Sequence, residues 1–110
     1  MDTRTLRNAA ETVLAQYLDF LGDDPETTIE VVIDADRDHY LLVELGWQGE
    51  RRIYGTMIHL DIIDRQIWIQ HDGTEMGVAH DLIALGVPSD CLVLGYKSPE
   101  RRKIVQLASS

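Results

Sequence analysis

The chain has 110 residues and a formal net charge of −9, from 19 acidic and 10 basic side chains. This length fits one domain over residues 1–110, because two hydrophobic cores would not fit within it. The 45% hydrophobic content is too high for a disordered chain, and a single cysteine, Cys91, excludes an internal disulfide or a multi-thiolate metal site. No signal-peptide pattern follows Met1 and no apolar run approaches the ~20 residues of a membrane span, so we expect a cytoplasmic protein.

The first part of the chain predicts one helix followed by four strands. Apolar residues recur at three- and four-residue spacing over residues 3–21, as in an amphipathic helix, and Gly22 is expected to end it in a left-handed conformation. Alternating apolar and polar residues then predict strands, with a bulge at Gly55 in the third. Short links between consecutive strands favour an antiparallel meander. The four strands are predicted at residues 28–34, 39–47, 51–63 and 66–71.

A second helix, a short strand and a last helical turn are predicted downstream. Asp72 and Glu75 have the spacing of a capping box at the start of the second helix, and Gly86 ends it. Residues 92–96 form an apolar strand, and Ser98 caps the last helical turn. The order α-β-β-β-β-α-β-α predicts an α+β fold with one curved, mainly antiparallel sheet and helices packed on one face.

The residues show no catalytic motif. Asp34 and Asp38 belong to an alternating aspartate run that resembles a calcium loop, but the sixth position from Asp34 is His39 rather than glycine and the twelfth is Leu45 rather than glutamate. We interpret these aspartates as turn formers. The histidines lack the four-residue spacing of a helical zinc motif. We therefore predict no catalytic residue, no metal site and no cofactor.

His59 is the histidine with the clearest candidate partners. It shares a strand face with Asp61 and could pair with a neighbouring strand, although a polar sheet surface explains the same pattern and is preferred. A metal-dependent hydrolase using Asp34, Asp38, His59 and Asp61 is the least favoured functional hypothesis.

Two surface clusters offer binding functions instead. Aromatic and arginine side chains are typical anchors of protein interfaces, although strands also favour aromatic residues for ordinary packing. The candidate partner-binding residues are Trp47, Arg51, Arg52, Tyr54 and Trp68. A basic cluster could contact DNA or a partner, although the acidic net charge disfavours broad DNA binding and a solvated end is the simpler interpretation. That cluster consists of Lys97, Arg101, Arg102 and Lys103.

The predicted second strand is apolar on both faces, with Tyr40 and Leu42 opposite Leu41, Val43 and Leu45. Because helices can cover only one face, an uncovered apolar patch is expected, and such patches usually mark interfaces. We therefore expect a homodimer.

Short segments spread along nearly the whole chain resemble the XisI family, in the family's order. They are Asp38-His39-Tyr40-Leu41-Leu42, Gly46-Trp47, Arg51-Arg52-Ile53-Tyr54-Gly55, His59-Leu60-Asp61-Ile62, Ile67-Trp68-Ile69-Gln70, Gly73-Thr74-Glu75, Leu85-Gly86-Val87-Pro88, Val93-Leu94-Gly95-Tyr96 and Ser98-Pro99-Glu100-Arg101-Arg102-Lys103. At the third turn, Asp64-Arg65-Gln66 stands where the family usually has Asp-Gly-Lys.

XisI proteins are controlling factors for excision of the fdxN element, a programmed DNA rearrangement in heterocyst-forming cyanobacteria, and the resemblance implies a role in the excision of that element or of another. Such factors act beside an endonuclease-like XisH partner and a separate site-specific recombinase. The implied role is accessory and non-catalytic, with no family catalytic residues to carry over. Direct DNA recognition through the basic cluster is the alternative.

Overall fold

The computed structural model describes residues 1–101, and within them no helix is both long and apolar enough to cross a membrane. Helical structure resumes at Pro99 and continues to the last described residue, Arg101. The predicted element order is confirmed. The elements are α1 (Thr3–Leu21), β1 (Thr27–Asp34), β2 (His39–Gln48), β3 (Arg51–Ile63), β4 (Gln66–Asp72), α2 (Val78–Ala84), a short 3-10 turn (Ser89–Cys91) and β5 (Leu92–Leu94).

The five strands form one sheet in the order β1-β2-β3-β4-β5. The first four strands are antiparallel to their neighbours, as their short connections require, whereas β5 runs parallel to β4. The parallel pair is reached through α2, which supplies the longer crossover that parallel strands need. The predicted antiparallel meander is therefore confirmed for β1 to β4.

Helices α1 and α2 both pack on one face of the sheet, and we call the opposite face the open face. Its N-terminus is capped by Asp2, whose carboxylate accepts a hydrogen bond from the Thr5 amide at 2.8 Å. The Tyr17 hydroxyl donates to Asp81 and so joins α1 to α2. The apolar stripe of α1 packs on alternate residues of the central strands, and this contact forms the core. Fully buried members include Leu6, Ala10, Val13, Leu14, Tyr40, Leu42, Ile58, Leu60, Ile67, Ile69, Val78 and Leu82.

Two glycines have roles other than those predicted. Gly22 ends α1 in a right-handed conformation, with φ −76°, and a Cβ there would lie 2.6 Å from the Leu18 carbonyl oxygen. Close approach rather than left-handed geometry therefore explains this glycine. Gly55 pairs regularly with Glu44, and the bulge of β3 falls at Met57, where the register shifts. The predicted bulge exists but lies two residues later.

The second helix begins later than predicted, at Val78. Asp72 ends β4, and its carboxylate accepts hydrogen bonds from the amides of Thr74 at 3.0 Å and Val78 at 2.8 Å. Asp72 therefore accepts a hydrogen bond from the first residue of α2 although it lies six residues before the helix. Glu75 lies before the helix rather than in its first turn. Strand β5 ends at Leu94, because the chain turns immediately afterwards.

Candidate functional site

The open face of the sheet carries two groups of functional side chains, one near each end of β2. In β2, Leu41, Val43 and Leu45 point to this face, opposite the buried Tyr40 and Leu42. All three are half-buried, on the side of the sheet opposite α1 and α2. The open face is therefore apolar along β2, as the sequence predicts, with polar groups at either end of that strand.

At one end, two histidines share one aspartate. His39 and Asp61 lie directly opposite each other in β2 and β3, and His59 lies two residues before Asp61 on the same face. His39 Nδ1 is 2.6 Å and His59 Nε2 is 2.8 Å from Asp61 Oδ1. The two imidazole rings meet edge to face, with centroids 5.9 Å apart. We call these three residues the His–Asp cluster.

Asp61 is the buried member of the cluster, with 10% of its side chain exposed. Its second oxygen, Oδ2, accepts a hydrogen bond from Gln70 Nε2 at 3.2 Å. Burial acts to raise the pKa of Asp61, but hydrogen bonds from His39 and His59 outweigh it and hold that pKa below its ordinary value. The group is therefore a carboxylate at neutral pH, held from both sides by donors.

The predicted hydrolase set is not assembled around this aspartate. Asp34 accepts hydrogen bonds from the amides of Asp36 at 3.0 Å and Arg37 at 3.1 Å, which are the contacts of a turn former. The Arg7 guanidinium donates two hydrogen bonds to the carboxylate of Asp38, at 2.7 and 3.0 Å. That contact holds the pKa of Asp38 below its usual range and anchors α1 to the β1–β2 turn.

At the other end of the open face, an arginine lies between two exposed aromatic rings. The Arg52 guanidinium carbon is 5.3 Å from the ring centroid of Trp47 and 5.9 Å from that of Tyr54. Its Nη1 also donates to the Gly46 carbonyl at 3.3 Å. The side chains of Trp47 and Tyr54 are 54% and 80% exposed. We call Trp47, Arg52 and Tyr54 the arginine–aromatic cluster.

The other two candidate partner-binding residues lie apart from this cluster. Arg51 is exposed, but strand alternation directs it to the opposite side from Arg52. Trp68 pairs with Asp61 in β4, seven residues along β3 from Tyr54, which corresponds to roughly 20 Å. It is half-buried beside the His–Asp cluster.

The basic cluster is described only in part. Lys97 is half-buried and Arg101 is exposed, and the Arg101 amide donates to Ser98 Oγ at 3.3 Å, which confirms the predicted cap. Arg102 and Lys103 lie outside the described residues.

His39 and Gln70 are the members of this site that the sequence did not reveal. His59 and Asp61 stand two residues apart in one strand, so alternation alone places them on one face. His39 joins them only through strand pairing, and Gln70 only through a register shift in β4. A helical or loop spacing rule cannot find such a group, because its members come from three strands.

Comparison with known proteins identifies the family. Residues 1–109 match the family described as XisI protein. A crystal structure of a XisI-like protein from Anabaena variabilis ATCC 29413 has 33% sequence identity and a TM-score of 0.83, covering 90% of this chain and 91% of that one. The fdxN element excision controlling factor XisI from the same organism has 27% identity and a TM-score of 0.76, covering 90% and 96%. No curated protein matches significantly. The chain belongs to the XisI family.

Proposed function

We propose that this chain is a non-catalytic accessory factor in the excision of a DNA element, and that it acts by binding a partner protein through the arginine–aromatic cluster. The expected partner is an XisH-like, endonuclease-type protein or a site-specific recombinase. Family membership and a relative described as an excision controlling factor support the role. The stacking of Arg52 between exposed Trp47 and Tyr54 is the observation that supports the surface.

These side chains have the properties of interface anchors. A few residues contribute most of the binding free energy in protein interfaces, and tryptophan, tyrosine and arginine are enriched among them. Here the guanidinium restrains two rings that would otherwise sample several rotamers, so less conformational entropy is lost when a partner covers them. Each ring offers a large apolar area that solvent still reaches. The cluster therefore has a preorganised, mostly apolar surface with one central positive charge.

The charge of the whole chain fits a partner that itself handles DNA. The net charge of −9 gives a field that attracts a basic surface and accelerates encounter with it. The same field opposes approach of this chain to phosphates. An acidic accessory protein on a DNA-binding partner is consistent with both effects.

The test uses Arg52→Glu in the full chain with Arg37→Glu as the matched control. Arg37 is an exposed arginine in the β1–β2 turn, at the opposite end of the sheet from Arg52. Both variants replace an arginine by a glutamate, so they change the net charge equally. Affinity for a co-expressed XisH-like protein is measured by calorimetry or interferometry. We expect Arg52→Glu to weaken binding roughly 30-fold, the effect of losing one interface hot spot, and Arg37→Glu to bind as the wild type does.

Three further measurements complete the test. Thermal unfolding should be nearly unchanged in both variants, because exposed charges contribute little to stability. Arg51→Glu and Trp68→Ala report how far the surface extends beyond the cluster. Wild-type affinity in Arg52→Glu contradicts the proposed surface. Specific, steeply salt-dependent binding to duplex DNA without any protein partner favours the DNA-binding alternative through the basic cluster instead.

A further inference from the structure

We propose that His39, His59 and Asp61 form a binding site for one divalent transition-metal ion of the zinc type on the open face of the sheet. This site is separate from the arginine–aromatic cluster, and the inference does not depend on the proposed partner. The spacing that excludes a calcium loop at Asp34 concerns one segment of chain. It does not apply to ligands that two paired strands bring together, so the proposal replaces the expectation of no metal site.

The ligand atoms already converge on one point. One imidazole nitrogen from each histidine and a carboxylate oxygen of Asp61 all lie within 4.8 Å of one another. Zinc binds such atoms at about 2.0–2.2 Å, which places neighbouring ligands of a tetrahedron about 3.3 Å apart. The present separations of 2.6 and 2.8 Å from Asp61 Oδ1 are hydrogen-bond distances. If side-chain rotation moved each ligand atom by under about 1 Å, an ion could take the place of the protons in these two hydrogen bonds.

The donor set selects the class of ion. Two imidazoles and one carboxylate suit zinc and its neighbours in the transition series, whereas calcium and magnesium prefer shells of oxygen ligands. The side chains of His39 and His59 are 42% and 31% exposed. A bound ion would therefore be reached from solvent, and water could occupy its remaining position, as in open zinc sites with three protein ligands.

The surroundings support metal ligation rather than an isolated pair of hydrogen bonds. Gln70 holds Oδ2 of Asp61, which directs Oδ1 towards the two imidazoles, and such outer contacts orient metal ligands generally. All three ligands lie on paired strands rather than on loops, so their backbone positions are fixed. Within residues 1–101, the charged contacts of Asp61 are both with imidazoles. A divalent ion would bring positive charge directly to this buried carboxylate.

The test is zinc binding by the chelator-treated full chain, measured by calorimetry and by metal content after equilibrium dialysis. We expect one zinc ion per chain. His59→Gln and Asp61→Asn should each weaken zinc affinity at least about tenfold, since removing a ligand costs no less than removing an outer-shell partner. His80→Gln is the matched control, because His80 is an exposed histidine on α2, outside the cluster. It should bind zinc with wild-type affinity.

Two readouts separate ligation from a merely structural role. Cobalt(II) added in place of zinc should give a visible absorption spectrum in the wild type and in His80→Gln, and a changed one in His59→Gln. Zinc should raise the midpoint of thermal unfolding of the wild type but not of Asp61→Asn; if Asp61→Asn does not fold, His59→Gln and His39→Gln decide the question. The proposal is overturned if the wild type binds less than one zinc ion per chain. It is also overturned if His80→Gln weakens zinc binding as much as His59→Gln does.

Discussion

The substitution Gly46→Ala tests the sheet geometry most directly. A Cβ at Gly46 would lie 2.3 Å from the Glu26 carbonyl oxygen and 2.9 Å from Thr27 Cα, inside the 3.0 Å that real Cβ atoms respect. Both contacts are with backbone, so no side-chain rotation relieves them. The same carbonyl accepts the Trp47 amide at 3.3 Å. Moving it therefore displaces the start of β1 and weakens a hydrogen bond as well.

We expect Gly46→Ala to lower the free energy of unfolding by about 3 kcal/mol, the upper part of the range for overpacking. For a domain of this size, that corresponds to a melting temperature lower by roughly 13 °C. Gly55→Ala is the matched control on the facing strand, where a Cβ meets nothing within 4 Å. It should be neutral or stabilising by about 0.4–1 kcal/mol, because alanine restricts the unfolded chain.

Urea unfolding followed by circular dichroism and by tryptophan fluorescence measures both variants. Unchanged slopes with urea concentration would show that the variants differ in stability rather than in the extent of unfolding. The reasoning is refuted if Gly46→Ala unfolds within about 0.5 kcal/mol of the wild type, the usual effect of a harmless surface change. It is also refuted if Gly55→Ala is destabilised as much as Gly46→Ala.

Four further predictions concern other parts of the molecule. Folding lowers the pKa of Asp61, so the ionised carboxylate stabilises the folded protein above the ordinary carboxyl pKa, and this stabilisation is lost below it. In unfolding measurements, the stability difference between the wild type and Asp61→Asn should therefore shrink as pH falls below about 4. Asp72→Ala removes the acceptor for two amides and should cost about 1–2 kcal/mol in urea unfolding. Arg65 has φ 61°, a left-handed conformation that is strained for a residue with a Cβ, so Arg65→Gly should raise the melting temperature. An unchanged or lower melting temperature would show that the backbone of Arg65 is not strained. Light scattering should give twice the 12.5 kDa chain mass, and Val43→Lys on the open face should return the monomer.

Much of the fold follows from local patterns in the sequence. The stripe of α1 and the alternation of β1 to β4 are set by which side chains must face the core, and short links then leave antiparallel pairing as the natural connection. The predicted start of α2 was wrong, because it relied on the capping-box spacing of Asp72 and Glu75. In the structure the Asp72 carboxylate instead closes a turn on Thr74 before it reaches Val78. Local spacing cannot distinguish these two uses of one carboxylate.

The arginine–aromatic cluster was predictable in part. Strand alternation separates Arg51 from Arg52, and the same rule puts Trp47 and Arg52 on one face once the turn between β2 and β3 is known. The position of Trp68 depends on where β3 ends and β4 begins. The meander returns β4 along the far end of β3, which places this ring beside Asp61 rather than beside Tyr54.

The His–Asp cluster shows why a non-local site escapes a reading of local patterns. From the β2–β3 turn, Gln48 pairs with Arg51, and Val43 still pairs with Thr56 in the same register. Continued without interruption, that register would set His39 opposite Leu60, whose side chain lies in the core. The bulge at Met57 shifts the pairing by one residue and brings His39 opposite Asp61 instead. The sequence signals a bulge through Gly55 but not its position at Met57, and that position decides whether the two histidines share a carboxylate.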